Sequence, residues 1–270
     1  MTLKILFTLH ILLLIILFPV IFLDTFGEEP ILISISSDLD QVIFDGKWTD
    51  TNEWKRSSYD YLQFDDGTEI HLRTAHQENF LYVQINAESD IVINKGSDSA
   101  IVCFDTKNDK TIIPQIDDYC FSTTLGRNSY FTYQGGGSFA INGFFKKITN
   151  NKDFVAVGTV SDQNDRYSGI PHASYEFRIP LDVIGRSDNY GFYISVFDAH
   201  TQNHYSWPYN IEKKSLLLIT SPSKWGDLVS PDKSLPEFSF SILLPFLIPL
   251  MIIFTIITKF NLFKSSILYN

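Results

Sequence analysis

Phe80-Leu81-Tyr82-Val83-Gln84-Ile85-Asn86-Ala87 alternates with a period of two, placing Leu81, Val83 and Ile85 on one face and Tyr82, Gln84 and Asn86 on the other. That period marks a β-strand with one face turned to a core. Ile70 to Thr74 carries the same pattern, and His76-Gln77-Glu78-Asn79 between the two reads as a hairpin turn. Further out, Ala100 to Phe104 and Tyr119 to Thr123 form a second pair around a polar connection, and Phe154 to Val160 leads into a third pair with Ala173 to Ile179. Gly191 to Phe197 is apolar at nearly every residue, as expected of a central strand covered on both sides. Leu181 to Ile184, after Pro180, suggests a helical turn. Closely spaced strands with no sustained helical period predict an all-β fold, an antiparallel β-sandwich of jelly-roll type.

Two apolar runs flank this region. Ile5 to Leu23 is apolar except for Thr8 and His10, follows Lys4, and at 1.5 Å per helical residue just spans a hydrocarbon core of about 30 Å. It reads as a signal peptide or an uncleaved N-terminal anchor; no Ala-x-Ala-like cleavage site follows it. Phe238 to Thr258 carries no charge and is followed by Lys259 and Lys264, the pattern of a transmembrane helix with a cytoplasmic tail. The expected organisation is a signal or anchor over 1–27, a sandwich ectodomain over 28–230, a short stalk over 231–237, a transmembrane helix over 238–258 and a tail over 259–270. The main domain is then extracellular and held at the cell membrane by its terminal helices.

The chain carries a formal net charge of −10, and all 31 acidic residues lie between the two apolar runs. A field of that sign repels phosphate backbones, so nucleic acid is not an expected partner. Neutral glycans, cations or a surface protein suit it better.

Cys103 and Cys120 fall in strands on either side of one connection. In an oxidising compartment they would form a cross-strand disulfide; as free thiols they would be buried core residues. The same connection carries Asp105, Asp109, Asp117 and Asp118, with Asn108 among them. Hard oxygen ligands gathered on a loop suit structural Ca²⁺, and acidic turn residues also cap turns through their own side chains. His200 and His204 are four apart but follow a strand, so they lack the helical face of a zinc pair. No nucleophile elbow, phosphate loop or His-Glu-x-x-His motif occurs, so no catalytic residue is assigned and the protein is expected not to be an enzyme. Among aromatics suited to stacking on a sugar, Tyr130, Tyr133, Tyr167, Tyr205, Trp207 and Trp225 fall at predicted loops or strand ends.

Three phrases in fixed order add a family resemblance. They are Asp45-Gly46-Lys47-Trp48 followed by Trp54, then Tyr175-Glu176-Phe177-Arg178-Ile179-Pro180-Leu181, and then Gly191 to Asp198 closing on Trp207-Pro208. Together, over roughly residues 40 to 228, they resemble the family 9 carbohydrate-binding modules and their DOMON-like relatives. The resemblance implies an antiparallel β-sandwich that holds a glycan without catalysis, some members carrying structural calcium. It also implies a structural role for Trp48 and Trp54. The two tryptophans that clamp the terminal sugar in that family fall here on Lys95 and Ile219, and its hydroxyl-binding glutamate and arginine fall on Ile101 and Ser122. The candidate ligand contacts are therefore Trp207, Trp225, Tyr205 and Lys95. Two alternatives stand beside glycan binding: a structural or protein-interaction domain of the envelope that has lost the sugar site, and a haem-binding sandwich of similar fold. The second lacks a domain methionine, since Met1 and Met251 lie in the apolar runs.

Overall fold

The computed structural model describes residues 29–34, 42–50, 52–127, 129–138, 144–209 and 219–230. Both apolar runs, the stalk and the tail lie outside them, and among the described residues no helix is long and apolar enough to cross a membrane.

The strands are β1 (Ile31–Leu32), β2 (Asp60–Gln63), β3 (Glu69–Gln77), β4 (Phe80–Ala87), β5 (Ser99–Asp105), β6 (Asp118–Thr124), β7 (Tyr130–Gln134), β8 (Lys146–Ile148), β9 (Val155–Val160), β10 (Ala173–Pro180), β11 (Asn189–Asp198), β12 (Asn203–Trp207) and β13 (Gly226–Val229). One helical turn, α1 (Leu181–Ile184), follows Pro180 as expected. The strands form two sheets. The smaller has the order β2-β3-β4-β10-β9; the larger, eight-stranded, has β1-β13-β11-β5-β6-β7-β8, with β12 also pairing with β11. The all-β sandwich read from the sequence is what the chain adopts.

Alternation builds the core between the sheets. β4 sends Leu81, Val83 and Ile85 inward to meet Val102 and Phe104 of β5, Phe121 of β6, Phe177 of β10, and Phe192 and Ile194 of β11. Five of the inward rings lie in contact across strands, among them Phe104 with Phe192 (5.3 Å between centroids) and Phe121 with Phe154 (4.9 Å). Trp207 belongs to the same core and packs against Gly226, where an added Cβ would stand 2.2 Å from the indole ring. Only glycine admits the ring that close.

The alternation of β4 predicts one solvated face, and the structure differs: every residue from Leu81 to Ala87 is buried. The second face of the five-stranded sheet is roofed by the loop before β2 and the loop between β9 and β10. Trp48, Trp54, Ala75 and Tyr82 make a separate apolar cluster there, joined by Phe44 and Tyr167. Its polar centre is Glu176, which accepts hydrogen bonds from the Trp54 indole at 2.9 Å and the Gly46 amide at 2.8 Å. Burial holds the Glu176 carboxyl well above the usual carboxylate range. Arg73 lies over the rings of Trp48, Tyr59 and Tyr167 and donates to the Trp54 carbonyl at 3.2 Å. The short phrases around Trp48, Trp54 and Glu176 are thus the two sides of one lock.

Asp60, two residues before the inward Leu62 of edge strand β2, shares its inward face, and burial pushes its carboxyl up to about 6. A carboxyl with a higher pKa folded than unfolded costs stability as pH rises through about 4 to 6. Asp60→Asn should therefore raise the Tm at pH 7.5 and leave it nearly unchanged at pH 3.5, measured by thermal melts of both proteins across that range.

Candidate functional site: a cleft on the outward face of the larger sheet

The strand register arranges the outward side chains of the eight-stranded sheet in three rows. In the first, His204 of β12 faces Phe197 of β11, which faces Ser99 of β5, which faces Thr124 of β6. In the second, Ser206, Ser195, Ile101, Ser122 and Phe131 follow one another from β12 to β7. In the third lie Tyr193, Cys103, Cys120 and Tyr133.

The third row is closed. Cys103 and Cys120 are joined in a disulfide, and Trp225, Phe145, Tyr193 and Tyr133 pack over it. Trp225 stacks at 6.2 Å from Tyr193 and 6.3 Å from Phe145, and its indole donates to the Thr220 carbonyl at 3.2 Å. Burial pushes the Tyr193 phenol up to about 12, against the pull of hydrogen bonds with Ser195 and Ser206. Burial likewise raises Tyr133, opposed by a hydrogen bond with Ser122. A disulfide of this kind belongs to oxidising, extracytoplasmic compartments.

The first two rows are open. Apart from Ser206, they line a cleft of about 340 Å³ together with Tyr133. Phe197 and His204 lie 4.5 Å apart with their rings tilted by 33° on one side, and Phe131 stands on the other with the Lys147 ammonium 3.3 Å above its ring. Between them the floor offers Ser99, Ile101, Ser122 and Thr124, with the Ser195 hydroxyl buried below the surface. The described lining holds no carboxylate, lysine or arginine. It presents rings and an aliphatic floor to apolar surface and hydroxyls to polar groups, the combination that fits a neutral, hydroxyl-rich molecule.

None of the candidate ligand contacts is among the residues that line this cleft. Trp207 is in the core at 5.9 Å from Phe192. Trp225 caps the disulfide. Tyr205 is buried and donates from its hydroxyl to Asp66 at 2.9 Å. Lys95 is exposed, its stem against Gly126 just past β6. Ile101 and Ser122, where the family resemblance puts its hydroxyl-binding pair, face each other across β5 and β6 in the cleft floor. The sequence reading missed Phe131, Phe197 and His204. β7 and β12 were not read as strands, so nothing placed Phe131 or His204 on the same face as Ile101.

The acidic connection between β5 and β6 brings Asp105, Asp109 and Asp117 together, each with a carboxylate oxygen within 4.8 Å of the others, a grouping able to hold a metal ion. Asp118 stands outside the group; burial pushes its carboxyl up to about 7 and it accepts from the Gln115 amide at 2.6 Å. Asp105 accepts from the Lys107 and Lys110 amides, and Lys107 pairs with Asp117 at 3.4 Å. Lys110 and Asn108 tie the loop to Asp227 at 3.1 and 2.9 Å. The loop thus reaches β13 beside Trp225. His200 and His204 do not converge on any metal group of the described residues.

No protein-family model matches the chain, and no curated protein matches it. Among solved structures it is similar to a family 9 carbohydrate-binding module from Caldicellulosiruptor kristjanssonii, seen in complex with cellotriose and with glucose. Identity is 17% in both cases, over 75% of this chain and 93% and 95% of that one, with TM-scores of 0.46 and 0.48. The two-sheet all-β sandwich of this chain resembles that module.

Proposed function

We propose that this protein is a non-catalytic binding module that takes a neutral glycan in the cleft on the outward face of its larger sheet. The carrying observation is the lining: Phe131, Phe197 and His204 stand around a floor of hydroxyls and Ile101, with no carboxylate among the described lining residues and the Lys147 ammonium held against the Phe131 ring. A pyranose has an apolar C–H face for the rings and the aliphatic floor, while its hydroxyls meet the serines and threonines. Trp207 serves this reading from the core beneath the sheet, and Trp225 from beside the cleft, over the disulfide on the same outward face, while Lys95 stands exposed beside Gly126. Calcium at Asp105, Asp109 and Asp117 would brace the loop against β13. The two apolar runs at the chain's ends would hold the domain at the outer surface of a membrane.

The test is calorimetry of the full chain against a panel of cellotriose, xylotriose, laminaritriose and soluble polysaccharides. Binding by wild type that falls at least tenfold on Ser122→Trp, which fills the cleft floor without touching the core, supports the reading. A folded protein that binds none of the panel removes it.

The exposed isoleucines of the acidic loop, Ile112, Ile113 and Ile116, at 78%, 56% and 65% exposure, favour a second reading as a protein-interaction domain. Under that reading, replacing all three by serine abolishes association with the partner and leaves glycan titrations flat in both proteins.

A further inference from the structure

The tip of the connection between β5 and β6, Thr111-Ile112-Ile113-Pro114-Gln115-Ile116, carries no charge, and its three isoleucines stand exposed. Of the aspartates around it, Asp105 and Asp118 are buried and Asp117 pairs with Lys107 at 3.4 Å, which leaves Asp109 as the exposed one. The backbone of the tip has its carbonyls taken from one end to the other. Thr111 accepts from the Ser223 amide at 3.0 Å, Ile112 from the Ser221 hydroxyl, and Ile113 from the Thr111 hydroxyl at 3.1 Å. Pro114 accepts from the Gly136 amide at 2.9 Å, Gln115 from the Asp118 amide at 3.1 Å, and Ile116 from the Gln134 side-chain amide at 2.6 Å. A loop that stays in water has no need of such completeness, because water serves a carbonyl well. A loop that enters lipid does need it, since each carbonyl left open there is costly.

The tip is also tied to the strands through which the chain enters and leaves the domain. Lys110 and Asn108 hold Asp227, and β13 ends two residues further on at Val229. β1 pairs with β13, Ile31 opposite Leu228 and Leu32 opposite Val229, and Leu32 is itself 52% exposed. From Ser230 the chain reaches the second apolar run at Phe238 through seven residues, Pro231 to Glu237, which span no more than about 30 Å when fully extended. From Glu29 back to Leu23 there are five, Asp24 to Glu28, spanning no more than about 22 Å. If both runs sit in a bilayer, two short leashes therefore draw β1, β13 and the loop bound to them toward its surface.

We propose that Ile112, Ile113 and Ile116 dip into the outer leaflet of the membrane that holds the chain, as a third point of attachment beside the two apolar runs. This inference rests on the reading above that those runs hold the domain at a membrane. The lipid it fits is zwitterionic or uncharged, because a chain of net charge −10 is repelled by anionic headgroups. A protein partner is met more often through tryptophan, tyrosine and arginine, and the tip has none of these. Docking on this loop also aims the cleft. The loop follows Asp105 at one end of β5, while Ser99, in the cleft lining, stands at the other end of that seven-residue strand, about 20 Å away. With the loop on the bilayer, the far end of the cleft is held out toward the medium, where a glycan can reach it.

The test places the full chain in phosphatidylcholine vesicles, with Ile113→Trp as the reporter and lipids brominated along their acyl chains as the quencher. The four native tryptophans are buried in the domain, so wild type supplies their baseline. The indole introduced by Ile113→Trp should emit at shorter wavelength and lose about half or more of its intensity to the bromines, beyond the loss in wild type. Ile116→Trp should behave in the same way. Ile91→Trp is the control: Ile91 is 54% exposed but follows Asp90, whose carboxylate lies beside that of Asp98 just before β5, at the cleft's end of the strand. Its indole should not be quenched. Flotation of the wild-type chain with the vesicles after an alkaline wash reads the anchoring by itself. A chain that floats while the indoles of Ile113→Trp and Ile116→Trp stay unquenched overturns the docking and leaves the anchoring in place. A chain that does not float removes both. A shift to shorter wavelength without quenching assigns the isoleucines to a protein partner and overturns the proposal.

Discussion

Trp54→Ala lowers the free energy of unfolding by about 3–5 kcal/mol, the range for deleting a large buried aromatic. The residue is fully buried, and its loss opens a cavity in the cluster that roofs the smaller sheet. It also strips Glu176, itself fully buried, of the indole donor at 2.9 Å, leaving one carboxyl oxygen without its partner. Trp54→Phe separates the two contributions. It keeps most of the volume and removes only the donor, so its cost should be about 1–3 kcal/mol, that of one unsatisfied buried acceptor. Urea midpoints of the three proteins check both figures. Equal losses for the two variants would show that the hydrogen bond, not the packing, carries the lock.

Removing the disulfide ranks next. Cys103 and Cys120 are 17 residues apart in sequence, and closing a loop of that order is worth about 3 kcal/mol by the chain-entropy argument. The double variant Cys103→Ala with Cys120→Ala should lose about that much, and wild type in a reducing agent should unfold at the same urea midpoint as the variant. A loss below about 1 kcal/mol would mean that the Trp225 cluster holds the third row without the bond. The effect should reach the cleft, because Tyr133 belongs both to the cluster over the disulfide and to the cleft lining.

The strands that were legible in the sequence are the ones whose alternation is set by the core: β3, β4, β5, β6, β10 and β11 stand within a few residues of their expected bounds. Edge strand β9 was legible too, read as Phe154 to Val160 and found at Val155–Val160, whereas several shorter strands escaped. β7, β8 and β12 are short and mix aromatic with polar residues, since one face is half-buried and the other belongs to a separate cluster, and a period of two is hard to see in Tyr130–Gln134 or Asn203–Trp207. The second covering of β4 escaped for a related reason. Gln84 and Asn86 look solvent-facing by composition, yet the roof above them comes from loops remote in sequence, around Trp54 and Tyr167. The candidate ligand aromatics show the same limit. Trp207 and Trp225 look available beside loops, and only the register reveals that each is seated against Gly226 or over the disulfide.

Ile101 offers the most direct test of the cleft, since its side chain lies in the floor between Ser195 and Ser122 while Ile112, Ile113 and Ile116 stand far out on the acidic loop. With the isoleucine methyl groups carbon-13 labelled in the full chain, titration with cellotriose, xylotriose and laminaritriose should shift the Ile101 resonance with at least one of them and leave those of Ile112, Ile113 and Ile116 in place. An unmoved Ile101 resonance with every sugar, or shifts confined to the loop isoleucines, would contradict the assignment of the cleft.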